Sequence, residues 1–132
     1  MNLLAFDTST DVISIAVAHG DQLWTHTGPG GSQASASLIP AIRNCMAQAG
    51  LGFADLDAIV FGRGPGSFTG LRTACAVAQG LAFGAQSATR PGGVPVLPVD
   101  TLLAVAEDAR HQHGVHQVVA VLDARMDEVY TA

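Results

Sequence analysis

The chain has no lysine; all six of its basic residues are arginine. That excludes Schiff-base chemistry on an ε-amine and a Walker-type lysine on a nucleotide phosphate. Charge of either sign is sparse, at 13% of 132 residues, and eleven carboxylates against six arginines leave a formal net charge of −5. No run of like charge interrupts this thin distribution, which argues against a surface that grips nucleic acid unaided. Aromatic residues are also few, with one Trp and one Tyr. The two cysteines, Cys45 and Cys75, fall inside helical patterns without the paired spacing of a metal knuckle, and read as buried free thiols rather than a disulfide. No stretch approaches the roughly 18 apolar residues of a membrane span, and Met1 to Asp7 has neither the cationic flank nor the apolar core of a signal peptide. A soluble cytoplasmic protein with no membrane partner is expected.

What the chain has in quantity is small and apolar residues, 48% hydrophobic with 15 glycines, enough for one sizeable core. Leu3 to Phe6 reads as a buried strand ending in Asp7-Thr8-Ser9-Thr10. The next strand alternates, with Val12, Ser14, Ala16 and Ala18 on one face and Ile13, Ile15 and Val17 on the other. Gly20-Asp21 turns it into a third strand, Gln22 to Thr27. Helical periodicity then runs through Leu38, Ile39, Ile42, Cys45, Met46 and Ala49 and stops at Gly50. A strand at Leu56 to Phe61, a helix from Thr69 to about Gln86, a strand at Val96 to Val99 and a helix from Thr101 to His111 follow. Asp100 or Thr101 would cap that last helix. This order predicts an α/β fold, a mixed five-stranded sheet flanked by helices. The last fifteen residues, with strands at Val118 to Leu122 and from Glu128, do not fit the closed unit. They read as entry to a second lobe, so residues 1–115 are assigned to a first lobe and 116–132 to the start of another, in a natural protein expected to be longer.

The most telling stretch is Gly64-Pro65-Gly66-Ser67-Phe68-Thr69-Gly70-Leu71-Arg72, a strand-to-helix turn. Its glycines and proline permit positive φ and close approach, and Ser67 or Thr69 can cap the helix that starts there. Free amides at such a start, with the helix dipole, suit a phosphate or carboxylate; a tight βα connection explains the same residues. The helix that follows is rich in small residues, including Thr73, Ala74, Ala76, Ala78, Gly80, Ala82 and Gly84. Glycine costs about 1 kcal/mol against alanine inside a helix, so close approach by a helix of the same chain or of a second one is implied.

Together, Asp7 to Thr10, Gly64 to Arg72, and Asp123-Ala124-Arg125-Met126-Asp127-Glu128-Val129-Tyr130 resemble the bacterial TsaB/YeaZ family, often grouped with the M22 glycopeptidase-like proteins. That family belongs to the superfamily of acetate and sugar kinases, Hsp70 and actin. The resemblance covers essentially the whole chain and implies lobes of ribonuclease H-like topology. It also implies a noncatalytic scaffold for N6-threonylcarbamoyladenosine at position 37 of tRNA. The implied partners are the transferase paralogue TsaD, as a heterodimer, and the ATPase TsaE in a larger complex. The chain would form a homodimer when alone and touch tRNA only indirectly. In TsaD a metal-binding His-xxx-His helix follows a strand similar to Val94 to Val99. The matching positions here are Thr101 and Val105, which cannot supply that pair of ligands.

Site candidates follow from both readings. Asp7, Thr8, Ser9 and Thr10, with Gly64, Gly66 and Ser67, form a candidate phosphate or nucleotide site, against an Asx-type hairpin turn. No cofactor is required; residual ATP or ADP between lobes is the implied exception. Leu38, Ile42 and Met46 on the first helix, with Arg72, Thr73, Ala76, Val77 and Gly80 on the second, form the candidate interface. His111, His113 and His116 lie at a polar helix end, and Ser67 lacks the Gly-x-Ser-x-Gly elbow, so neither zinc nor serine hydrolysis gains support. The rival readings are a small-molecule phosphotransferase of the same superfamily and a metallopeptidase.

Overall fold

The computed structural model describes every residue from Met1 to Ala132. Strand alternation builds one inner face. β1 (Asn2–Asp7) buries Leu4 and Phe6, and β2 (Val12–His19) buries Ile13, Ile15 and Val17. The antiparallel register sets Leu4 against Val17 and Phe6 against Ile15, so these side chains share a face. β3 (Gln22–Pro29) continues the meander after a turn at Gly20, whose φ is +60°. β4 (Ala58–Gly62) lies parallel to β1 and β5 (Val96–Val99) parallel to β4, giving the order β3-β2-β1-β4-β5. This is the mixed five-stranded sheet that the sequence predicts.

Two helices cover the inner face. α1 (Ala34–Ala49) turns Ala34, Leu38, Ile42, Cys45, Met46 and Ala49 into the core and ends at Gly50 in the left-handed region, φ 68°. α2 (Phe68–Gly84) buries Gly70, Ala74, Ala78 and Ala82, every fourth residue and all small. That spacing forms one stripe along the helix and lets its axis lie close to the sheet. α3 (Thr101–His113) sits on the opposite face and buries only Thr101 and Leu102. Between it and the sheet runs a groove of about 350 Å³ whose walls include Ala5, Val60, Val99 and Ala104.

β6 (Val121–Arg125) and β7 (Glu128–Thr131) form a two-stranded sheet of their own. The strand expected at Val118 to Leu122 lies three residues later. Its register is set by the hairpin turn, where Arg125, Met126 and Asp127 all take positive φ, and by the reciprocal main-chain bonds of Ala120 and Ala132. Asp100 starts α3, but its side chain does not cap the helix. The carboxylate turns instead to Arg63, at 2.6 and 3.2 Å.

Candidate functional site

The end of β1 and the start of α2 are locked together by short polar contacts. Asp7 Oδ1 accepts from the Ser9 amide at 2.7 Å and from the Ser9 hydroxyl, and Asp7 Oδ2 accepts from the Thr101 hydroxyl at 3.0 Å. The carboxylate therefore closes an Asx turn and ties β1 to α3. Thr8, 1% exposed, donates its hydroxyl to the Gly70 carbonyl at 2.6 Å. A Cβ on Gly70 would overlap the Thr8 carbonyl, so the first turn of α2 passes the β1–β2 turn as only glycine allows.

The glycine-rich turn leaves fewer amides free than its sequence suggests. The Ser67 amide donates to the Ser9 carbonyl at 2.7 Å, and Ser67 caps α2 by accepting from the Gly70 amide at 3.4 Å. Gly64, φ +99°, is buried behind Leu71, and its carbonyl accepts from the Thr101 amide at 2.9 Å. The amides of Phe68 and Thr69 open the helix, where no intrahelical acceptor exists for them.

A cavity of about 540 Å³ lies between this turn and the β6–β7 hairpin. Ser9, Thr10, Gly66 and Ser67 line it; Asp7, Thr8 and Gly64 do not. The far wall carries Asp123 and Arg125, and Phe68 and Tyr130 are also in the lining. Sequence reasoning reads Asp123 only as an acidic residue at a strand end, where ligands or helix caps are placed, and does not assign Arg125, Phe68 or Tyr130 to the site. The signal for them is the Asp123 to Tyr130 motif and the position of Phe68 directly after the capping serine. The cavity offers hydroxyls, the first-turn amides and one guanidinium, Arg125, with two carboxylates, Asp11 and Asp123, a setting for a polar ligand rather than for nucleophilic attack. No group of three His, Cys, Asp or Glu side chains converges to hold a metal. Thr101 gives its hydroxyl to Asp7, and Val105 is 37% exposed with no donor atom. His111 and His113 are exposed in the last turn of α3, and His116 is exposed beyond it.

The helix pair presents the second surface. Leu38 and Ile42 at 0% exposure and Met46 at 3% belong to the core, which corrects the expectation that they form an interface. Their apolar stripe is the one an amphipathic helix turns inward. The exposed side of α1 carries Ile39, Arg43, Asn44 and Ala47 instead. On α2, Arg72, Ala76 and Gly80 are exposed, and Thr73 and Val77 are half-buried. Phe68 and Phe83 are 74% and 70% exposed, and the Arg72 guanidinium lies 5.3 Å from the Phe68 ring centre. A Cβ on Gly80 would meet nothing within 4 Å, so packing within the chain does not account for that glycine.

Electrostatic shifts are confined to periphery and core. Arg63 holds the Asp100 carboxyl below its usual range by hydrogen bonding, and Arg110 does the same to Glu107. Burial pushes the Cys45 thiol up.

Comparison with known proteins places this geometry. The family model of tRNA N6-adenosine threonylcarbamoyltransferase, TsaD, matches residues 22–132. The tRNA threonylcarbamoyladenosine biosynthesis protein TsaB of Haemophilus influenzae is 43% identical over 98% of this chain and 52% of its own. The Escherichia coli protein of the same name is 36% identical over 100% and 54%. Among solved structures, YeaZ from Pseudomonas aeruginosa superposes with a TM-score of 0.88 at 42% identity, covering 98% of this chain and 58% of that one. Thermus thermophilus RuvC, 13% identical with a TM-score of 0.51, shares the fold alone. The chain thus spans about half the length of the curated relatives it matches. Its α/β lobe is of the ribonuclease H-like kind found in actin, Hsp70 and the acetate and sugar kinases. With a family model matched over most of its length and relatives at this identity, the chain belongs to the TsaB/YeaZ family.

Proposed function

We propose that the chain is a noncatalytic scaffold in the N6-threonylcarbamoyladenosine modification of tRNA position 37, docking a TsaD-type transferase through the outer side of α1 and α2. The relatives' names supply the pathway, and one structural observation carries the docking: the outward face of α2 is small and apolar where a solvated helix is polar. Phe68, Ala76, Gly80 and Phe83 lie on it, and nothing in the chain covers Gly80. The same face would support a homodimer when the partner is absent. A TsaE-type ATPase joins a larger assembly, tRNA is held through the partner, and the site of action is the cytoplasm. Residues 116–132 are read as the entry to a second lobe.

No cofactor is required in this reading. Ser9, Thr10, Ser67 and Arg125 would face the phosphates of an ADP or ATP retained in the cavity between α2 and the hairpin. The absence of a His pair at Thr101 and Val105 supports a scaffold rather than a second transferase. Gly80→Trp tests the docking. The variant should keep the circular dichroism and melting cooperativity of the parent and lose both self-association and binding of the TsaD-type protein. Undiminished association in a folded variant would refute the assignment.

A further inference from the structure

The α1–α2 face carries a charge pattern unlike the rest of the chain. Eleven carboxylates are spread over the sequence, but neither α1 nor α2 contains a single Asp or Glu. Each helix holds one arginine, Arg43 on α1 and Arg72 on α2, both exposed. The ion pairs of the chain are Arg63 with Asp100, Arg90 with Asp57 and Arg110 with Glu107, so Arg43 and Arg72 have no carboxylate partner. An acidic protein therefore offers two adjacent helices that are apolar at Ile39, Phe68 and Phe83 and whose own charges are both cationic, with the carboxylates of Asp11 and Asp123 confined to the cavity beside Phe68.

From this we infer that the α1–α2 face is built for a partner whose docking surface bears carboxylates, and that a second copy of the chain is the poorer occupant. The inference rests on the docking reading above and specifies the chemistry of its partner. A twofold self-pairing sets the two helices against their own copies, which supply neutral side chains and arginines but no carboxylate. A carboxylate-bearing partner satisfies both arginines across the apolar contact and is favoured in rate and register as well. The two associations consequently respond to salt with opposite sign. Salt weakens the heterologous complex by screening attraction and strengthens self-pairing by screening repulsion and favouring apolar burial.

The test measures binding of the TsaD-type protein of the same organism by calorimetry at about 50 mM and about 500 mM sodium chloride, spanning strong to weak screening. Self-association is followed by sedimentation equilibrium in the same buffers. The wild type is compared with Arg43→Gln, Arg72→Gln and Arg72→Lys. Arg72→Lys keeps the charge while altering the contact with Phe68, and so separates charge from ring packing. The expected result is weaker heterologous binding at high salt, a loss of about two- to fivefold for each Gln variant, near-retention in Arg72→Lys, and tighter self-association in the Gln variants. Heterologous binding indifferent to salt and to both Gln variants overturns the charge inference and leaves the docking reading standing. No binding by the folded chain at either salt overturns both.

Discussion

Gly70 and Gly80 lie on one helix, ten residues apart, and alanine should act on them in opposite directions. At Gly80 a Cβ meets nothing within 4 Å, so Gly80→Ala gains helix propensity without a clash. Interior helical glycine is about 1 kcal/mol worse than alanine, partly through the entropy of the unfolded chain. For a domain of this size, that gain raises Tm by roughly 3 to 5 °C. At Gly70 the same methyl would run into the Thr8 carbonyl, a main-chain atom held by the strand. Relief requires the first turn of α2 to move away, breaking the bond from the Thr8 hydroxyl to the Gly70 carbonyl and the fit of the Ala74 stripe. Overpacking and a broken buried hydrogen bond together cost about 2 to 4 kcal/mol. Urea melts of both variants, read by circular dichroism, supply the comparison. In melts run at a concentration where the chain is monomeric, so that self-association adds nothing to the apparent stability, a destabilised Gly80→Ala would mean that Gly80 is already packed in the free chain. A neutral Gly70→Ala would mean that α2 does not lie as close to β1 as described.

Three further outcomes follow from the core and the periphery. Leu38→Ala should cost about 3 kcal/mol, because Leu38 is fully buried in the cluster under the sheet; a loss below about 1 kcal/mol would return it to the surface. Cys75, half-buried, should react with a thiol reagent in the native state, whereas Cys45, 2% exposed and with its thiol pushed up by burial, should react only on unfolding; equal rates would contradict the packing of α1. Asp100 and Glu107 have carboxyls lowered in the folded state by Arg63 and Arg110. Each therefore adds a small stability present above the unfolded carboxyl value, near pH 4, and lost as pH falls through the lower folded value. Arg63→Gln should flatten the Asp100 share of that acid limb and change little at pH 7, as unfolding midpoints across pH 2 to 7 would show, while an unaltered acid limb would deny the pair any role.

Much of the lobe was legible because local rules and the fold agree. Alternation through Ile13, Ile15 and Val17 gave the buried face of β2, and Gly50 marked the end of α1. The five strands and three helices fall within a few residues of expectation. What period alone does not reveal is whether an apolar helical stripe meets the chain's own sheet or a partner, and that is why Leu38, Ile42 and Met46 stand among the interface candidates in the sequence but in the core of the fold. On α2 the distinction was present in the spacing: Gly70, Ala74, Ala78 and Ala82 form one stripe at four-residue intervals, and Arg72, Ala76 and Gly80 another. The Ser67 amide of the Gly64 turn reads as free because its acceptor, the Ser9 carbonyl, is 58 residues away in sequence. Asp7 looked like a ligand because its tether, Thr101, is remote as well. The cavity wall from Asp123 to Tyr130 could be read as a motif but not as the opposite side of a cleft.

The central claim is that this chain works by docking a related protein on the outer side of α1 and α2. Light scattering coupled to gel filtration, on the chain alone and mixed with the TsaD-type protein of the same organism, tests it most directly. The account predicts a homodimer that converts to a one-to-one heterodimer, and loss of both species in Gly80→Trp. A chain that is folded yet elutes as a monomer in the presence and absence of that protein would contradict it.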